Sequence, residues 1–288
     1  MKESWRLLMH DKRLVWFPIA SSLACFLIFI AFVGPFVGVE VIGVLGGRGL
    51  SQTLSYVVLF LYYVCNFFIA YFFNAALIDY VITRARGGEP TLGGSLKVAL
   101  HHLPQIALWA LVSATVGVVL KAISARAGVL AQIVIAIVGV GWTFLTYFVV
   151  PFIVVERKGA FGAIGASRDL LVKTWGQQLV SNVSYGLIGF FLTLPAIVLL
   201  VATVIAAIGS GVSGSWGATG AWGTLAFVAF LYILAVGIVI STLDAIFAAA
   251  LFLHVRTGET PPEFSADTMA NAIRAASMPG LPAFPPAT

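Results

Sequence analysis

Apolar residues dominate this chain in long unbroken runs, and the few polar residues gather between them. A helix rises 1.5 Å per residue, so about 20 apolar residues cross a hydrocarbon core of about 30 Å. Six runs meet that requirement: 14–39, 51–78, 104–120, 127–155, 179–208 and 222–255. The sixth is interrupted only by Asp244 and by His254 at its end. The pattern predicts an all-α integral membrane protein with one six-span domain over 1–255, and a tail over 256–288 with a short helix and a Pro-rich end from Pro279.

The polar connections carry a second pattern. Spans two, four and six end in Arg86-Gly87-Gly88, Arg157-Lys158-Gly159 and Arg256-Thr257-Gly258. Arg anchors a helix end at the headgroups and Gly permits a reversal. Nine or ten residues past the first two stand Ser95 (SLKVALHHL) and Ser167 (SRDLLVKTW), and Ser4 (SWRLLMHDK) begins a similar stretch at the N-terminus. Each serine is expected to cap an amphipathic helix lying on the membrane surface. The prediction is three helical hairpins, each preceded by a cytoplasmic surface helix, with a fourth surface helix over 265–275. The outer segment 209–223 (GSGVSGSWGATGAWG) has no charge and reads as a flexible linker.

Charge sets the orientation. With a cytoplasmic N-terminus, thirteen Lys and Arg fall on the cytoplasmic side and only three, Arg48, Lys121 and Arg126, on the other. That bias fits the positive-inside rule and an even number of spans, so both termini are expected in the cytoplasm of a bacterial inner membrane. The first span lacks a small-x-small cleavage pattern and reads as a retained signal anchor. The composition agrees: 60% of residues are hydrophobic and 9% charged, with mean hydropathy +1.04, too few charges to solubilise a globular surface. The formal charge of +5 is scattered over helix ends rather than gathered on one face, which argues against nucleic acid.

Sequence motifs for chemistry are weak. Gly209-Ser210-Gly211-Val212-Ser213-Gly214 matches a nucleotide-loop pattern, but it follows a membrane helix rather than a strand. Cys25 and Cys65 lie inside spans and read as inert thiols, and the four His sit at helix ends. No catalytic constellation, metal site or cofactor is expected.

The informative polar residues are those inside the spans. Asp244 stands twelve residues before Arg256, about 18 Å into the membrane, where a carboxylate costs about 2.5 to 3.5 kcal/mol. Aligning the Arg-Gly endings places Asn74 opposite Asp244, and in the middle copy Leu145 with Thr146 beside it. Asp244, Asn74 and Thr146 form a candidate polar layer, with Asn66 further out. Such a layer either binds a solute, ion or proton or supplies hydrogen bonds between helices. Pro104, Pro151 and Pro195 could break spans and free carbonyls to line a cavity. Arg86, Lys97, Arg157, Lys173 and Arg256 are candidate lipid-headgroup contacts.

Several stretches resemble one family: WRLLMHDKRLVWFP from Trp5, YFFNAALIDYVITRARGGEPTL from Tyr71, WALVSATVG from Trp109, TYFVVPFIVV from Thr146 and TWGQQLVSN from Thr174. Together they are similar to bacterial six-span membrane proteins of the domain of unknown function 6159, over about the first two thirds of the chain. The resemblance implies a polytopic inner-membrane protein and brings no functional residues. The leading expectation is a non-enzymatic channel or transporter for a small solute, ion or proton. The competing readings are a structural or accessory subunit of a membrane complex, and a lipid-interacting protein. The expected partners are membrane lipids, with further copies of the chain or other membrane proteins as candidates.

Overall fold

The computed structural model describes residues 2–45, 52–125 and 127–258, and within these the side chains other than those of 2, 33, 36–45, 52–53 and 173–185. The helix expected over 265–275, the Pro-rich tail, Arg48, Arg126 and the Lys173 side chain lie outside the described residues.

Every described element is a helix. In chain order they are α1 (Lys2–His10), a short 3-10 turn (Lys12–Val15), α2 (Trp16–Leu45), α3 (Gln52–Ala85), α4 (Leu92–His101), α5 (Leu103–Ser124), α6 (Val129–Leu145), α7 (Val149–Val155), α8 (Ala160–Val212) and α9 (Trp216–Thr257). Six helical segments are long and apolar enough to cross a bilayer: Lys12–Phe32, Leu54–Ala85, Leu103–Ser124, Val129–Val155, Gly186–Val212 and Trp216–Thr257.

The prolines act differently from one another. Pro151 sits in the first turn of α7, where it lacks an N–H and would crowd the carbonyl of Tyr147 in a continuous helix. The fourth span therefore breaks, with α6 ending at Leu145 and α7 starting at Val149. Pro104 lies in the first turn of α5, where no N–H is needed. Pro195 stays inside an unbroken α8, so it does not divide the fifth span.

The three serines do not cap helices as expected. Thr91 caps α4, accepting from Gly94 N–H at 3.1 Å. Ser4, Ser95 and Ser167 are instead buried between helices. Ser167 stands within α8 and closes the break in the fourth span, where its Oγ accepts from Phe148 N–H at 3.1 Å and donates to Leu145 O at 2.7 Å. The reversals also differ from the Gly expectation. Gly87 and Gly258 take positive φ, but in the middle connection Arg157 itself does so, at φ 52°, and Gly159 precedes α8. The expected linker 209–223 is mostly helix, leaving only Ser213–Ser215 between α8 and α9 with Gly214 at φ 77°. Its small residues let the two helices approach, and Ser210 Oγ meets Thr219 Oγ1 at 2.9 Å.

The buried core is gathered at the end of the bundle that carries α1, α4 and α7. It comprises Leu7, Leu8, Leu14 and Phe17, the turn of α3 from Ala75 to Ile82, α7, and α9 from Leu243 to Leu253. Charge pairs close the same end across long sequence separations. Asp11 accepts from Arg84 at 2.7 Å and Tyr80 at 2.8 Å, tying the N-terminal turn to α3. Glu156 accepts from Arg256 at 2.6 Å and Lys158 at 3.1 Å, tying α7 to α9.

Two predictions follow from this closed end. Ser167→Ala leaves the Phe148 N–H and Leu145 carbonyl without their buried partner, and is expected to cost about 1–2 kcal/mol, read as a lower unfolding midpoint in detergent. Burial pushes the Glu156 carboxyl up, but hydrogen bonds from Arg256 and Lys158 outweigh it and hold the group below the usual carboxylate range. A depressed folded value means that this contribution is present at neutral pH and lost as pH falls below about 4. Glu156→Gln is expected to flatten that acid limb in a plot of unfolding midpoint against pH.

Candidate functional site

A cavity of about 370 Å³ opens between α2, α3, α5, α6, α7 and α9, beside the break that Thr146 and Tyr147 occupy. Asp244, Asn74 and Thr146 all line it. Three polar residues from three different spans thus converge on one space, Asn74 and Asp244 at the register of the aligned Arg-Gly endings and Thr146 one residue past it. Asn66 does not join them. It lies two turns along α3 from Asn74, and its Nδ2 donates to Tyr62 O at 2.9 Å within its own helix.

Tyr147 is the partner of Asp244, and sequence patterning gave no sign of it. Its hydroxyl donates to Asp244 Oδ1 at 2.8 Å, with the Asp244 carbonyl at 3.4 Å. The break places it. Tyr147 lies in the non-helical turn between α6 and α7, so its side chain leaves the direction a continuous helix would give it. Trp109 and Tyr71 form another wall, with ring centroids 5.8 Å apart, and Trp109 in turn faces Trp142 at 6.1 Å.

Five hydroxyls around the cavity are already engaged as donors. Thr146 Oγ1 donates to Trp142 O at 2.8 Å, Thr143 Oγ1 to Gly139 O at 3.0 Å, and Ser241 Oγ to Ile238 O at 3.0 Å. Tyr71 OH donates to Ser113 Oγ at 3.1 Å, and Tyr147 OH to Asp244. These hydroxyls spend their protons on the protein and offer lone pairs to the cavity. Asn74 Oδ1 is buried without a hydrogen-bond partner among the described residues. The lining includes one carboxylate and no Lys, Arg or His.

The headgroup candidates sit elsewhere. Arg86, Lys97 and Arg157 are exposed at the charged end of the bundle, whereas Arg256 is held by Glu156. A further polar group lies between α3 and α4, where the Asp79 carboxylate hydrogen-bonds Ser95 and feels the nearby His102 ring. His102 Nδ1 lies 2.9 Å from Val98 O. Among the described residues, no group of three or more His, Cys, Asp or Glu could hold a metal ion.

Compared with known proteins, the chain matches the family of unknown function DUF6159 over residues 53–262. It belongs to that family. The DUF6159 match takes in α3 to α9 and includes every span that supplies Asn74, Thr146, Tyr147 and Asp244. It begins after the stretch around Trp5 that also suggested the family, and it extends through the last span. No curated protein and no solved structure matches the chain.

Tyr147→Phe is expected to lower stability by about 1–2 kcal/mol, because a buried carboxylate then loses its donor. Asp244→Asn keeps an acceptor for Tyr147 and is expected to cost less. Chemical unfolding of both variants and the double variant checks this: the double should cost less than the two single losses combined.

Proposed function

We propose that this DUF6159 protein is a non-enzymatic permeation or binding protein for a small cation, a proton or a solute that donates hydrogen bonds. Asp244 is its charge-bearing residue, with Asn74, Thr146 and Tyr147 as polar partners. The observation that carries the reading is the single carboxylate of the Asp244 cavity, which has no basic side chain beside it. Five hydroxyls there direct their protons to the protein, one carboxamide oxygen lacks a donor, and no basic side chain competes for the carboxylate. A site whose one charged group is a carboxylate disfavours anions and favours ligands that bring their own protons or positive charge. The aromatic walls add faces to which a cation is attracted. Placing a carboxylate at this depth costs about 2.5 to 3.5 kcal/mol, more than one Tyr147 bond returns.

We place the protein in a bacterial inner membrane with both termini in the cytoplasm, because the thirteen-to-three bias of Lys and Arg favours that orientation. The three-hairpin organisation is supported by packing. Helices α2 and α3, α5 and α6, and α8 and α9 contact one another as consecutive pairs. Helix α4 packs on α3, the start of α8 on α7, and α1 on α9. A buried serine occurs in each of α1, α4 and α8. On this reading each short helix seals the inner end of the preceding span pair, and α1 closes the circle by sealing the last one. Arg86, Lys97 and Arg157 face the lipid headgroups.

Reconstitution in liposomes tests the function. A proton or monovalent-cation flux that depends on the protein and falls about ten-fold or more in Asp244→Asn, with the variant still folded, is the expected outcome. Unchanged flux in a folded Asp244→Asn variant would remove Asp244 from the mechanism.

A further inference from the structure

Asp244 borders two cavities, not one. On the far side of α9 a second space of about 400 Å³ lies between α8 and α9, lined by Gly186, Gly189, Phe190, Gly237 and Ile240, and it shares Ser241 and Asp244 with the first. It is the more apolar of the two, with fewer polar side chains. The hydroxyls on its wall are turned into their own helices: Thr193 Oγ1 donates to Gly189 O at 2.7 Å and Ser241 Oγ to Ile238 O. The remainder is glycine and hydrocarbon. The glycines keep this space open. A Cβ built on Gly186 or Gly237 meets nothing within 4 Å, and one on Gly189 reaches only Ile240 at 3.7 Å.

We propose that the two spaces bind one ligand: a protonated amine with an apolar tail, its ammonium at Asp244 and its tail between α8 and α9. This rests on the cation reading of the Asp244 cavity and deepens it by naming the ligand class. Each volume falls within the usual range of ligand sites, about 300–1,000 Å³. A bare ion or proton would use the carboxylate and leave the apolar space unexplained. An amphiphile uses both, and Asp244 is the one charged residue where they meet. The flanking surfaces of α8 and α9 expose apolar side chains such as Phe190, Phe191, Phe227 and Leu231. A ligand already dissolved in lipid therefore reaches the site laterally without crossing a polar rim.

The test is equilibrium binding of radiolabelled ethylammonium and decylammonium to the full chain in phosphatidylcholine nanodiscs, with empty nanodiscs subtracting partition into lipid. Asp244→Asn is expected to weaken both amines about ten-fold or more, the loss of a charged hydrogen-bond partner. Gly237→Leu and Gly186→Leu fill the apolar space from opposite helices. Each is expected to weaken decylammonium about five-fold or more and to leave ethylammonium within about two-fold. If Asp244→Asn weakens both amines while neither glycine variant affects decylammonium, the tail site is wrong and the cation site stands. If the glycine variants weaken both amines equally, the tail site is likewise overturned. If Asp244→Asn changes neither, both readings fall together. Decanoate displacing decylammonium at equal concentration would also overturn the assignment, since its carboxylate would meet Asp244 with no Lys, Arg or His in the lining to offset the repulsion.

Discussion

The site depends on how one broken span satisfies its backbone. Within hydrocarbon every freed N–H and C=O must find a partner in the protein. Pro151 forces such a break, and the Ser167 hydroxyl mends it by accepting from Phe148 N–H and donating to Leu145 O. Those two groups flank Thr146 and Tyr147. The turn that results carries Thr146 to the cavity wall and Tyr147 to the Asp244 carboxylate. A single hydroxyl from α8 thus fixes the geometry of a polar contact between α6–α7 and α9, and the fifth span is coupled to the site although its own residues stand apart from the central cavity.

The two ends of the bundle are held by different forces. At the charged end, Asp11 to Arg84 and Glu156 to Arg256 link residues more than seventy positions apart in sequence. The interdigitated core around Leu14, Ile78, Phe152 and Phe252 lies just beneath them. Partial exposure screens such pairs, so their value is in register more than in energy. Towards the other end α8 and α9 stay paired, but the helices expose their apolar sides: Leu130 and Val134 on α6, Phe191 and Ile205 on α8, Phe227 and Val228 on α9. Lipid supplies the missing partner there. Helix α9 has 42 residues, about 63 Å of helix, twice the hydrocarbon thickness of about 30 Å. It must tilt or project, and either leaves its far half less constrained than its base.

What the sequence made legible is what composition and register encode. Span number follows from run length, and the layer of Asn74, Thr146 and Asp244 follows from counting back from Arg-Gly endings, because a helix converts residue count into depth. What escaped depends on side-chain direction. Tyr147 has ordinary membrane composition and becomes a hydrogen-bond donor to Asp244 only because the helix breaks beside it. Serine at Ser95 or Ser167 has the same letter as a cap, yet a buried hydroxyl serves a neighbouring helix equally well. The segment 209–223 was misread for a related reason: Gly and Ser mark loops in water, but in lipid they also let helices pack closely, and α8 and α9 meet through them.

The Asp244 carboxylate is at the boundary between a firmly packed base and a loosely packed upper half of α9, where Leu243 and Ala245 are buried but Ser241 is exposed. Its contact with Tyr147 is the polar link from α9 to the broken span at that level. Tyr147 occupies Oδ1 alone, so on the proposed reading Oδ2 is left for a ligand that brings a proton or a positive charge. A charge that costs energy to bury is, on the proposed reading, the recognition group of the site, and Tyr147 holds it in place from the broken span.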